Sequence, residues 1–189
     1  MKVMLTSCGI ETEKIKEHFL KMLDKLPSDT KALFIPTAAI DADAIGVLPK
    51  CMNDLLKCGI QKENIKVFDL HRNMEINELY CFDVVYLCGG STSYLLDRIN
   101  KTGFRDTLLS YIQNDGFVIG VSAGSLIFAS NLPDNLGVIN TKMDVHCENS
   151  SITGKVCFPL TENIKLSNTA AMLVRSIPND VEIIDDQIQ

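Results

Sequence analysis

Three short runs of this chain are apolar almost without interruption, where a strand with one wet face would alternate: Ala32–Ile35, Asp83–Cys88 and Phe117–Gly120. Strands of that kind are covered on both faces, as in a parallel sheet packed between two layers of helices. Segments of helical period fall between them. Glu11–Leu26 places Ile15, Phe19, Leu20 and Leu23 on one stripe, and Ala44–Lys57, Tyr94–Ile99 and Phe104–Gln113 follow. Pro49 lies inside the second of these and predicts a late start or a kink, because it removes a backbone donor. With Lys2–Thr6 and Ile65–Phe68 as further strands, the pattern predicts an α/β fold, a three-layer sandwich with a mostly parallel central sheet.

Beyond about residue 130 the character changes. Short β-like runs take over at Gly137–Ile139, Met143–Cys147, Lys155–Phe158, Ala170–Arg175 and Val181–Ile184. The last two, joined through Ser176–Asp180, predict an antiparallel edge hairpin at the C-terminal end. Cys147–Leu160 is rich in Ser, Thr and Gly, weakly helical, and combines turn-forming residues with few apolar anchors. No repeat or linker interrupts the chain, so residues 1–189 are expected to form one domain.

Charge and composition remove several functional classes. A net charge of −6 and no basic cluster argue against nucleic acid or an anionic membrane surface as partner. No apolar run approaches the roughly 20 residues that span a bilayer, and Met1–Leu5 reads as a first strand, too short for a secretion signal. Seven cysteines (8, 51, 58, 81, 88, 147 and 157) without CxxC spacing fit free thiols in a reducing cytoplasm better than a disulfide framework. With three histidines, none near a cysteine pair, no metal site is expected.

The chemistry points to Gly120-Val121-Ser122-Ala123-Gly124, which follows one apolar run and leads into Ser125–Ala129, read as a buried helix. A serine at a strand-to-helix corner is held in a strained backbone with its hydroxyl exposed above the sheet. Active sites of such sheets lie beyond the carboxyl ends of the strands. Three other ends carry suggestive residues: Thr6-Ser7-Cys8-Gly9, Pro36-Thr37-Ala38-Ala39 and Cys88-Gly89-Gly90-Ser91-Thr92. Paired Gly89-Gly90 frees backbone N–H groups to face a ligand, as an oxyanion hole requires, and Ser91 or Thr92 suits a helix N-cap. A serine nucleophile needs a base, normally histidine. His18 falls within the first helix and His71 on a loop, which leaves His146.

The motifs Phe34–Ala39, Gly89-Gly90-Ser91-Thr92 with Leu95-Leu96, and Gly120–Gly124 resemble, in order and approximate spacing, the dipeptidase E (aspartyl dipeptidase) serine peptidases over roughly residues 1–147. That resemblance implies the flavodoxin-like layered fold shared with class I glutamine amidotransferases. It also implies Ser122 as nucleophile, His146 as base, and an oxyanion hole from Ala123 N–H with an N–H of Gly89 or Gly90. No cofactor is implied. The expected partner is a small peptide substrate, with a homodimer left open.

Three carboxylates compete to orient His146. Asp134 lies between elbow and histidine and is the first choice. Asp144 and Glu148 would share its strand face at about 7 Å. Selecting an N-terminal aspartate would call for a buried arginine, yet none of Arg72, Arg98, Arg105 and Arg175 lies in a matching motif. A hydrolase of short peptides or small amides is the leading expectation. Two alternatives stand beside it: a relative that keeps the pocket and binds a ligand or protein without turnover, and an amidotransferase-like domain sharing only the fold.

Overall fold

The computed structural model describes residues 1–160, 162–177 and 180–187. Strands β1 (Lys2–Thr6), β2 (Ala32–Ile35), β3 (Ile65–Val67), β4 (Val84–Leu87) and β5 (Phe117–Val121) lie parallel in the order β3-β2-β4-β5-β1. Strands β9 (Ala170–Ser176) and β10 (Asp180–Asp185) then continue the sheet antiparallel from β1, with β7 (Gly154–Lys155) outermost. Every residue of β2, β4 and β5 is buried, which is why these runs show no polar alternation.

Alternate side chains of each strand enter two separate cores. Met4, Phe34, Tyr86 and Ile119 meet helices α1 (Glu13–Met22) and α2 (Ala42–Lys57) on one face. Val3, Leu33, Val85 and Leu87 meet α3 (Ile76–Leu79), α4 (Thr92–Lys101), α5 (Phe104–Gln113) and the one-turn α6 (Ala123–Leu126) on the other. The result is the α/β fold expected, helices on both sides of a mostly parallel sheet with antiparallel strands on one flank.

Several boundaries differ from the sequence reading. Helix α2 begins before Ala44, because Asp41 accepts from Ala44 N–H at 2.9 Å as a side-chain cap. It then runs through Pro49, which sits on the exposed side, where water can serve the carbonyl that proline leaves without a donor. The buried helix expected at Ser125–Ala129 is α6, shorter and starting directly at Ala123. Gly137–Ile139 is not a strand; Ile139 makes only an isolated bridge to Ala129. The run at Lys155–Phe158 is reduced to β7. A strand without strong apolar signal, β8 (Ile164–Ser167), pairs in parallel with β6 (Met143–Cys147) in a small second sheet. The hairpin of β9 and β10 forms, while Pro178 and Asn179 of its turn lie outside the described residues.

Candidate active site

The sheet's strand ends converge where β4, β5 and β1 lie side by side. Ser122 stands at the end of β5 with φ 49° and ψ −110°, a conformation rarely adopted by a residue with a side chain. Its N–H donates to Thr6 O at 2.9 Å, so the end of β1 holds the corner. Beneath it, buried Ser125 accepts from Thr6 N–H at 2.9 Å. The same hydroxyl lies 2.8 Å from both Thr6 O and Gly120 O, donating to one of them.

The flanking glycines are steric requirements. A β-carbon at Gly120 would lie 2.4 Å from Gly124 O, and one at Gly124 would lie 2.3 Å from Leu87 O. The corner therefore forms only where bare backbone packs on bare backbone. Gly89 borders the serine directly, since a β-carbon there would meet Ser122 Cβ at 3.2 Å. Ser91, not Thr92, caps α4 by accepting from Tyr94 N–H at 3.3 Å, and its own N–H donates to Ala38 O at 2.7 Å. The end of β2 thus supports the Gly89-Gly90 turn. Ala123 opens α6, and first-turn N–H groups have no acceptor within their own helix.

His146 comes from the other side. On β6 the pairing with β8 slips between Asp144 and Cys147, so Val145 and His146 both fall opposite Leu166. This bulge puts His146 at φ 59°. Ser7, just past β1, occupies it: the hydroxyl accepts from His146 N–H at 3.2 Å and donates to Leu166 O at 3.0 Å. The imidazole then reaches the elbow, with Nε2 2.9 Å from Ser122 Oγ.

The group at hydrogen-bond distance from His146 Nδ1 is none of the three carboxylates expected. Asn168, in the tight turn between β8 and β9, presents Oδ1 3.0 Å from His146 Nδ1. Asp134 is exposed beside α4, its carbonyl accepting from Arg105 at 2.9 Å, in a stretch that packs Leu136 and Ile139 into the α4–α6 core. Asp144 bonds Asn163 at 3.5 Å instead, and the bulge breaks the alternation that would have aligned it with His146. Glu148 is exposed. Asn168 is neither an acid nor close to the elbow in the chain, so the sequence does not single it out. Its turn carries the weaker signal Ser167-Asn168-Thr169 before an apolar strand.

That turn is tightly held. Buried Asp185 accepts from Ser167 Oγ at 2.8 Å, Thr169 Oγ1 at 2.7 Å, Ser150 Oγ at 2.6 Å and Gln187 N–H at 3.1 Å. Burial opposes its charge, but the hydrogen bonds from Ser150, Thr169, Gln187 and Ser167 outweigh it and keep the carboxyl below the usual carboxylate range. Cys8 also donates its S–H to Asn168 Oδ1, at 3.1 Å. Burial pushes this thiol up, against the pull of Lys50, so it is a protonated donor at neutral pH.

Asp54 supports the loop after β1 from below, accepting from Ile10 N–H at 3.0 Å and Tyr86 OH at 2.7 Å. A cavity of 320 Å³ runs from Ser122 and His146 past Cys8 to α2, where Val47, Leu48 and Cys51 line it.

Comparison with known proteins places the chain in a family. Residues 3–147 match the sequence pattern of Peptidase family S51. An uncharacterized peptidase of Listeria innocua, Lin0382, is 26% identical over 174 residues, spanning 80% of this chain and 81% of the relative. Another from Pasteurella multocida, PM1590, is 27% identical over 99 residues, and there the match spans about half of each protein, 52% of this chain and 48% of the relative. Among solved structures, one from Listeria monocytogenes EGD-e described as a peptidase E protein superposes with a TM-score of 0.74 at 20% identity, covering 97% of this chain and 98% of that one. A peptidase from an acI-B1 Actinobacterium gives 0.71 at 19% identity, covering 98% and 87%. With the family's pattern matched over most of its length, the chain belongs to peptidase family S51.

Proposed function

We propose that the protein is a serine hydrolase that cleaves a short peptide or small amide through an acyl-enzyme. The observation that carries this reading is the 2.9 Å approach of His146 Nε2 to Ser122 Oγ at a strained corner bordered by Gly89. Nε2 accepts the serine proton, so Nδ1 keeps its hydrogen and donates to Asn168 Oδ1; the amide oxygen selects the working tautomer.

Ser122 Oγ attacks the substrate carbonyl as its proton passes to Nε2. The tetrahedral oxyanion is received by N–H groups of Ala123 and the Gly89-Gly90 turn. Collapse breaks the C–N bond, and His146 gives the proton to the leaving amine. Water, deprotonated by the same nitrogen, then attacks the ester carbonyl, releases the acid and returns the proton to Ser122 Oγ. A ligand-binding relative without turnover is the reading that a broken serine–histidine contact would favour, and the observed distance supports the hydrolase instead. The seven free cysteines support a reducing, cytoplasmic setting, and no helix among the described residues is long and apolar enough to cross a membrane.

A fluorophosphonate probe tests the proposal. Wild type should be labelled at Ser122, Ser122→Ala should not be, and His146→Ala should react at least about 10³-fold more slowly. Absence of wild-type labelling under conditions that label a control serine hydrolase would overturn it.

A further inference from the structure

We infer that the cavity beside Ser122 selects an uncharged, apolar side chain on the acyl side of the scissile bond and rejects an acidic one. This rests on the serine-hydrolase reading above. The leaving amine must lie against His146, which protonates it, so the acyl part occupies the remainder of the cavity toward α2. There the walls are Val47, Leu48, Cys51 and Val121, with the thiol of Cys8 engaged to Asn168.

The cation at the cavity already has a partner of the protein's own. Among the described residues, Lys50 is the one lysine or arginine in the cavity lining, and its ammonium is paired with Glu11 at 2.5 Å. An incoming carboxylate would meet Glu11 beside that ammonium, and an incoming cation would meet the ammonium itself. The four arginines are committed elsewhere. Arg72 bonds Glu78 at 3.3 Å, Arg98 bonds Leu70 O at 2.9 Å, Arg105 bonds Asn135 O at 2.6 Å, and Arg175 bonds Asp180 at 3.1 Å. A charged side chain entering an apolar wall without a free partner loses its hydration uncompensated. An aliphatic side chain in the same place gains from leaving water. The apolar surface continues outside the cavity, where Ile40, Ile45 and Val47 are about half exposed around the start of α2.

The test compares kcat/KM for the dipeptides Leu-Leu, Asp-Leu and Lys-Leu, together with labelling by two fluorophosphonates that differ only in an alkyl or a carboxyalkyl arm. Leu-Leu should exceed both charged peptides by about 100-fold or more, and the alkyl probe should label faster by a similar factor. Glu11→Gln, which frees Lys50, should raise Asp-Leu turnover and carboxyalkyl labelling by about 10-fold with Leu-Leu little changed; Val47→Arg, which puts a cation into the apolar wall itself, should raise Asp-Leu and lower Leu-Leu. Equal or faster reaction of Asp-Leu, or of the carboxyalkyl probe, would overturn the apolar assignment while leaving Ser122 as nucleophile. Labelling by neither probe would overturn both.

Discussion

The two halves of the site are built by different physics. Ser122 and the Gly89-Gly90 turn stand on buried parallel strands, where backbone packs against backbone at distances no side chain tolerates. His146 and Asn168 stand on a small, more exposed sheet and a tight turn, held by hydroxyls and one buried carboxylate. The nucleophile's half is a packing problem, and errors there are expected to cost the fold. The base's half is a hydrogen-bonding problem, and errors there are expected to cost rate first.

The sharpest way to break this contrast is Gly124→Ala. Its β-carbon would sit 2.3 Å from Leu87 O, an atom fixed in the sheet, so a loss of about 3 kcal/mol or more is expected. Urea unfolding should show a large fall in midpoint or no folded protein; a near-wild-type midpoint would mean the corner is softer than its packing implies.

On the other side, Asn168→Ala should lower kcat/KM by about 100-fold through loss of the orienting acceptor, with a thermal midpoint within a few degrees of wild type. Asn168→Asp keeps an acceptor at the same place and should restore most of the rate. Comparable unfolding by both variants would show that the turn is structural first.

Asp185→Asn is the exception within the base's half, where stability is expected to fall as well as rate. Because the folded carboxyl is held below its unfolded value, its stabilisation is present above the ordinary carboxylate range and is lost as pH falls through the folded value. The variant should be about 2 kcal/mol less stable at neutral pH, and the gap from wild type should close in acid. A pH-independent gap would remove the charge from the explanation.

The smallest effect expected is a gain. Ser122→Gly relieves a positive φ of 49° and should raise stability by about 1 kcal/mol, read as a higher thermal midpoint, while abolishing probe labelling.

How much of this was legible in the chain follows the same division. Fully apolar runs such as Ala32–Ile35 and Phe117–Gly120 determine a two-face-covered sheet wherever they occur, because burial on both sides leaves no place for alternation. The Gly120–Gly124 corner and Gly89-Gly90 announce themselves locally too, since close backbone approach demands missing side chains in consecutive positions. His146 was legible as a residue, although the bulge that turns it toward Ser122 was not. Asp134 failed as the orienting group because nearness in sequence to the elbow says nothing about which core its segment joins. Arg105 and the α4–α6 layer hold that segment instead.

The sequence by itself determined the sheet, its two helical layers and the serine corner, all consequences of apolar pattern and missing β-carbons. Only the tertiary structure decided that Ser7 seats the bulge, that Asn168 meets His146 Nδ1, that Asp185 fixes the turn, and that Glu11 neutralises Lys50 at the cavity. These are single polar contacts between residues far apart in the chain. A hydrogen bond leaves no periodic trace in a sequence, so its partner is known only once the backbone brings the two together.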